Sequence, residues 1–410
     1  MASPEIITGL DIGTTKIGVI IAEVEENSQP KIVGVGTSPS EGLRKGVVVN
    51  VEKTIRSIQN ALEKAEQMAG FKVSQVYVGI AGDHIRGYNG RGVVAVAGPE
   101  NEITEDDVRR AIDAAKAVVM PIDREIIHII PQEFIVDDQR GIKDPLGMSG
   151  IRLETEVHIV TGAITSAQNI CRSVERAGVD VVDLVLEPLA SSYSVLTEDE
   201  KELGVVVMDL GGGTTDIAMF FEGCIRHTAV VGLGGNNVTN DIALCLRTPI
   251  DQAELIKVRH GVALHSLIEN QDQTVEIAGV GGRPPRKVAQ ELLTDIIHPR
   301  MEEIFRLSAG EIRKSEFANL MTAGVVITGG GALIKGAAEL AEEIFDMPVK
   351  LGIPKGFSGL IDLAKSPIHA TGVGLILYAL SNRYELEGIL SEGEVGLFER
   401  VWDRMKRWFR

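Results

Sequence analysis

Short apolar runs rich in Val and Ile recur along the chain, each ending in a glycine-containing turn. The first two, IITGLDIG and KIGVIIAEV, read as strands joined by a turn. Ile55, Ile58, Leu62 and Ala65 follow at helical spacing, and Gly70 closes that helix. VYVGIAG, over 76–82, is a further buried strand. Over 84–162 the character changes. Charges multiply, VVAVAG alternates, and Thr104 with Asp107 three residues on forms a capping-box pattern before the apolar runs REIIHII and VHIVTGA. The pattern predicts a helix-rich, strand-framed insertion of about 80 residues there. Residues 317–334 are free of charge for 18 positions, long enough to count as a membrane span. Asn319 and the glycines 329–331 make them a buried strand followed by a glycine turn instead.

The two halves of the chain repeat one another. Asp11-Ile-Gly-Thr-Thr-Lys recurs as Asp209-Leu-Gly-Gly-Gly-Thr-Thr-Asp, with an apolar run leading into each and another leaving it. Such a block signals duplicated architecture. It predicts two related α/β lobes facing each other.

The last 15 residues, GLFERVWDRMKRWFR, carry a second kind of pattern. At helical spacing Leu397, Phe398, Val401, Trp402, Met405, Trp408 and Phe409 fall within an arc of about 140°, and every charged side chain lies outside it. Both tryptophans of the chain are here. Five basic residues, Arg400, Arg404, Lys406, Arg407 and Arg410, oppose two acidic ones. A polar, acidic linker precedes them over 381–395. Fifteen helical residues reach only about 22 Å, short of a ~30 Å hydrocarbon core, so the segment cannot span. Lying in the interface, aromatics buried and Arg/Lys at anionic headgroups, suits it. Binding a groove on a protein is the alternative.

Composition narrows the chemistry. At 410 residues the chain has room for two to three domains, and its net charge of −17 argues against nucleic acid as the main partner. Three scattered cysteines read as reduced thiols of a cytosolic protein. The eight histidines show no metal-ligand spacing, and no GxxxxGK[ST] occurs. Glycine is abundant, with 45 residues, and three glycine turns each follow an apolar strand: DIGTTK (11–16), DLGGGTTD (209–216) and TGGGALIKG (328–336). Turns without Cβ atoms let backbone N–H groups cradle phosphate oxygens. An aspartate at the head of two of them suits Mg²⁺, which needs only one or two carboxylates beside phosphates and water.

With EPLASS (187–192) between the first two turns and ATGVGLILYAL (370–380) after the third, the set resembles the actin–Hsp70–sugar-kinase superfamily, whose five cleft motifs it matches in order. The resemblance implies duplicated ribonuclease-H-like lobes with ATP between them. Asp11 and Asp209 would hold Mg²⁺ through water. Gly13, Thr14, Thr15 and Lys16 would hold phosphates on one side, and Gly211, Gly212, Gly213 and Thr214 on the other. Gly329 and Gly330 would underlie the adenosine, with Glu254 and Lys257 flanking adenine and ribose. Glu187 would orient the attacking water; capping its own helix is its other reading.

An actin-like core followed by an acidic linker and an amphipathic end resembles, more narrowly, the FtsA family of bacterial cell-division proteins. IPQEFIVDDQRGIKDPLGMSGIRLE (130–154), AELIKVRHG (253–261) and GGRPPR (281–286) agree with it. The family pattern implies subdomain 1A over 1–83 and 163–195, an inserted 1C over 84–162, 2A over 196–229 and 306–380, 2B over 230–305, the linker, and a membrane helix over 396–410. It implies a polymerising adaptor, at most a slow ATPase, that fastens FtsZ filaments to the inner face of the cytoplasmic membrane. Subdomain 2B would take the C-terminal peptide of FtsZ, with Arg283 and Arg286 as candidate contacts; that basic pair also reads as a solvated loop. Subdomain 1C would serve self-association and other division proteins. A small-molecule kinase and a pilus-assembly scaffold are the competing readings, and neither gives the amphipathic end a role.

Overall fold

A computed structural model describes residues 4–25, 28–117, 121–268, 273–279, 281 and 284–382. Arg283, most of the linker and the whole of 396–410 lie outside the described residues.

The chain begins with a three-strand meander: β1 (Glu5–Ile12), β2 (Lys16–Val24) and β3 (Lys31–Pro39). A tight hairpin, β4 (Leu43–Arg44) and β5 (Val47–Val48), leads into α1 (Val51–Ala69). Asn50 caps that helix through the Lys53 N–H, and Gly70 ends it in the left-handed region at φ 85°. Strand β6 (Gln75–Ile80) then lies parallel to β1.

Here the chain leaves the lobe to build β7 (Arg86–Ala95), α2 (Glu105–Ala115), β8 (Arg124–Val136), β9 (Gln139–Ile142) and β10 (Arg152–Ala163). The strands form a separate antiparallel sheet in the order β7-β10-β8-β9. Thr104 and Asp107 close a capping box on α2. The expectation of a helix-rich insertion is corrected: one helix of 11 residues faces strands of 10, 13 and 12. The apolar runs REIIHII and VHIVTGA extend as β8 and β10, the latter buried along almost its whole length, while β7 alternates exposed and buried positions.

The chain returns through α3 (Ile164–Ala177), β11 (Asp180–Leu186), α4 (Glu187–Val195) and α5 (Glu198–Leu203). The second lobe follows: β12 (Val205–Leu210), β13 (Thr215–Phe221), β14 (Cys224–Val231), α6 (Gly235–Leu246), α7 (Ile250–His260), β15 (Thr274–Ile277), β16 (Arg286–Ala289), α8 (Gln290–Ile312), β17 (Val325–Thr328), α9 (Ala337–Phe345) and β18 (Val349–Leu351). Finally β19 (Ser358–Gly359) joins the edge of the first sheet beside β3, and α10 (Ile361–Ala364) and α11 (Ala370–Ser381) end the described chain.

The duplication is visible in strand order. The first sheet runs β3-β2-β1-β6-β11 and the second β14-β13-β12-β17-β18. In each, three antiparallel strands are followed by two parallel ones reached through helices. Helices α4 and α11 cross where the lobes meet. A Cβ on Gly374 would collide with the Ala190 carbonyl, so only glycine permits this approach. The uncharged stretch 317–334 contains the four-residue β17 and its glycine turn, and among the described residues no helix is long and apolar enough to cross a membrane.

Candidate functional site

Each lobe presents the turn of its first hairpin to the other. The ladders close at Ile12↔Ile17 and Leu210↔Thr215, leaving four turn residues in both. The turns interlock: a Cβ on Gly212 would overlap the Thr15 hydroxyl, and one on Gly213 would come within 2.7 Å of the Thr14 hydroxyl. Thr15 Oγ1 donates across the gap to Asn236 Oδ1 (3.2 Å), and the Gly46 N–H, from the β4–β5 hairpin, donates to Thr14 Oγ1 (3.1 Å). The third turn closes the floor. Gly329 has φ 82°, and a Cβ there would strike Asp209 Oδ1, whereas Gly330 is open to the cleft.

Together they enclose a cavity of about 290 Å³ lined by every residue of the nucleotide set: Asp11, Gly13 through Lys16, Gly211 through Thr214, Glu254, Lys257, Gly329 and Gly330, with Asp209 and Glu187. Glu187 is the first residue of α4 and lines the cleft; Leu186 occupies the cap position and no side chain caps that end. The helix-capping reading of Glu187 is therefore set aside. Lys257 Nζ donates to the Gly235 carbonyl (3.1 Å) and Thr239 Oγ1 (2.9 Å) and pairs with Glu254 (2.7 Å), which also accepts from Thr239.

Besides Glu254, four acids share the cavity with half-buried Lys16. Burial pushes Asp11 up to about 6, with Lys16 opposing and Asp209 adding to the rise. Glu187 is pushed well above the usual carboxylate range by burial and by Asp11, Asp216 and Asp209. Asp209 is raised by burial and held back by the hydroxyls of Ser191 (3.0 Å) and Thr371 (3.2 Å), which donate to its Oδ2. Burial raises Asp216 to about 7, against a hydrogen bond from Thr214 (2.8 Å). Lys16, lowered by desolvation, donates to the Ile368 carbonyl (2.8 Å).

Asp216, Asn236 and Thr371 line the cleft without being singled out by the sequence pattern, and Ser191, buried behind it, supports Asp209. Arg286 is not at the cleft: it starts β16 and donates to the Leu246 carbonyl (3.0 Å). Among the described residues no three His, Cys, Asp or Glu side chains converge as a closed metal cage. The acid excess, with Asp216 Oδ1 buried and without a hydrogen-bond partner, still fits a cation shared with ligand phosphates.

Two duplicated lobes, a cleft of interlocked glycine turns and a sheet inserted into the first lobe define an actin-like protein with an added domain. Solved structures share this fold: the PilM–PilN type IV pilus biogenesis complex (TM-score 0.67, 16% identity, covering 91% of this chain and 98% of that one) and MreB5 of Spiroplasma citri bound to ADP (0.58, 14%, 93% and 98%). A family model described as "Cell division protein FtsA" matches residues 206–374, and one described as "SHS2 domain inserted in FTSA" matches 82–161. The cell division protein FtsA of Pseudomonas aeruginosa is 48% identical over 99% of this chain and 98% of its own length. The chain belongs to the FtsA family of cell-division proteins.

Proposed function

We propose that the protein is an ATP-binding, polymerising adaptor that tethers FtsZ filaments to the inner face of the cytoplasmic membrane and helps assemble the division machinery. The observation that carries the nucleotide part is the pair of interlocked glycine turns over Lys16 and the acids. MreB5, of the same fold, is a nucleotide-bound protein by its description. In this reading Thr14, Thr15, Lys16 and the turn 211–214 hold phosphates, Asp11 and Asp209 hold Mg²⁺ through water, and Glu254 and Lys257 flank the base and ribose. Mg²⁺, when bound, neutralises phosphate charge. Glu187, at the cleft end of α4, orients the attacking water in this reading, and turnover is at most slow.

The remaining roles follow the family pattern. Residues 230–305, with Arg283 and Arg286, take the FtsZ C-terminal peptide; residues 84–162 serve self-association and other division proteins; and the segment 396–410 lies on anionic lipid. The membrane role rests on the sequence pattern of that segment. Calorimetry with Mg-ATP tests the cleft: Asp209→Ala weakens binding at least tenfold, about 1.4 kcal/mol. Unchanged affinity would remove the second glycine turn from the site.

A further inference from the structure

Polar side chains from three strands of the insert converge on one strand of the second lobe. Strand β14 pairs with β13 in register from Thr215↔Val231 to Met219↔His227, after which Phe220 faces Ile225 and Arg226 is left as the extra residue of a β-bulge. A bulge re-aims the peptide groups around it. Here the Ile225 carbonyl accepts from Gln132 Nε2 of β8 (2.8 Å), and the adjacent Arg226 carbonyl accepts from Asn89 Nδ2 of β7 (3.3 Å). Both partners of the first bond are buried.

His158 of β10 completes the contact. Its Nδ1 lies 2.7 Å from Asn89 Oδ1 and its Nε2 2.9 Å from Thr228 Oγ1 on β14. Asn89 uses its amide nitrogen on Arg226, so its oxygen accepts from His158 Nδ1–H, and Nε2 accepts from the Thr228 hydroxyl. The imidazole is neutral in this arrangement; burial and neighbouring His227 push it down to about 3. Gly87 lets the strands meet, because a Cβ there would overlap the Thr228 hydroxyl and come within 2.8 Å of the His158 ring. On its own side the bulge is anchored by buried Arg226, which pairs with Glu222 (2.6 Å) and lies over the Phe317 ring at 5.3 Å.

The insert is also tied to the first lobe. It is continuous with β6 and α3, and His128 Nε2 accepts from the Leu186 N–H of β11 (2.9 Å). We propose that the insert is a strap between the lobes, latched to the second lobe by Gln132, Asn89 and His158 at the β14 bulge, and that this latch restrains the angle between the lobes. The latched strand ends at the cleft. Thr215 Oγ1 donates to the Leu233 carbonyl (3.0 Å), and the N–H groups of Gly235 and Asn236 donate to Gly211 (2.9 Å) and Gly212 (2.8 Å). The strap therefore acts on the strand that buttresses the second glycine turn.

The test needs no nucleotide, so it stands apart from the proposed function. Spin labels at Glu63 of α1 and Glu343 of α9, with Cys224 and Cys245 changed to Ser, report the distance between the lobes. The intact latch gives one narrow distance distribution. Thr228→Val with Gln132→Ala widens it at least about twofold and speeds amide exchange in β7 roughly tenfold, while Thr228→Ser keeps both near their starting values. Far-UV circular dichroism shows that the double variant is folded. A folded double variant with unchanged distance width and unchanged β7 exchange would overturn the strap, as would equal effects from Thr228→Ser.

Discussion

Gly18 and Asp216 occupy the same place in two copies of one hairpin, each seven residues beyond the aspartate that heads it and paired with it across the ladder. Glycine in the first lobe leaves room for the Lys16 side chain, whose Nζ would sit 3.4 Å from a Cβ there. In the second lobe a carboxyl fills that space and takes a hydrogen bond from Thr214. Overlaying the two sequences by their GTT triplets pairs Lys16 with Asp216 instead, which hid this acid of the cleft. The residues named directly by the turns all reached the cavity, as did Glu187 of α4; Asn236 of α6, Thr371 of α11 and Ser191 behind Asp209 did not show in any spacing.

Asp216 makes a pH test possible. Its folded pKa, about 7, stands above the ordinary 3.8, so between those values the folded protein binds a proton that the unfolded chain has lost. Stability from this group falls as pH rises through that window, and the full penalty is present above it. Without nucleotide, Asp216→Asn should melt above the unmodified protein at pH 8, and the gap should close near pH 4.5. An equal gap at both pH values would mean that burial of the charge is not what the asparagine relieves.

At the scale of elements, apolar runs announced strands reliably, and caps announced helix ends: Gly70 closes α1, and Thr104 with Asp107 opens α2. The insert was misread because β10, at the centre of its sheet, is buried along almost its whole length and shows no alternation, while β7 alternates and meets α2 at Gly90 and Gly92. Neither the α4–α11 crossing nor the β14 bulge is written in periodicity. The crossing depends on the Ala190 carbonyl meeting Gly374. The crossing is testable: Gly374→Ala forces a methyl against the Ala190 carbonyl and should cost about 1–3 kcal/mol in urea denaturation. A loss under ~0.5 kcal/mol would show that the helices can part without strain.

For the whole molecule, the repeat of an aspartate-headed glycine turn was enough to foresee two facing lobes, and the strand orders bear that out. The adaptor reading asks more, because it joins the core to the segment 396–410, known here by sequence alone. That segment holds both tryptophans of the chain, so their fluorescence reports on it without background. A blue shift with anionic vesicles is expected, and Trp408→Glu, which puts a charge on the apolar arc, should remove it while leaving ATP affinity intact. Reversing Arg404 and Arg407 should weaken binding by roughly 1 kcal/mol per charge, as added salt should.

Co-flotation of FtsZ tests the central claim most directly. Purified FtsZ filaments are mixed with anionic vesicles and this protein, with and without ATP, and spun up a density gradient. The account predicts that FtsZ rises with the vesicles when the unmodified protein is present and stays behind with the Trp408→Glu protein. FtsZ that fails to float with the intact protein, or floats equally with the variant, would contradict it.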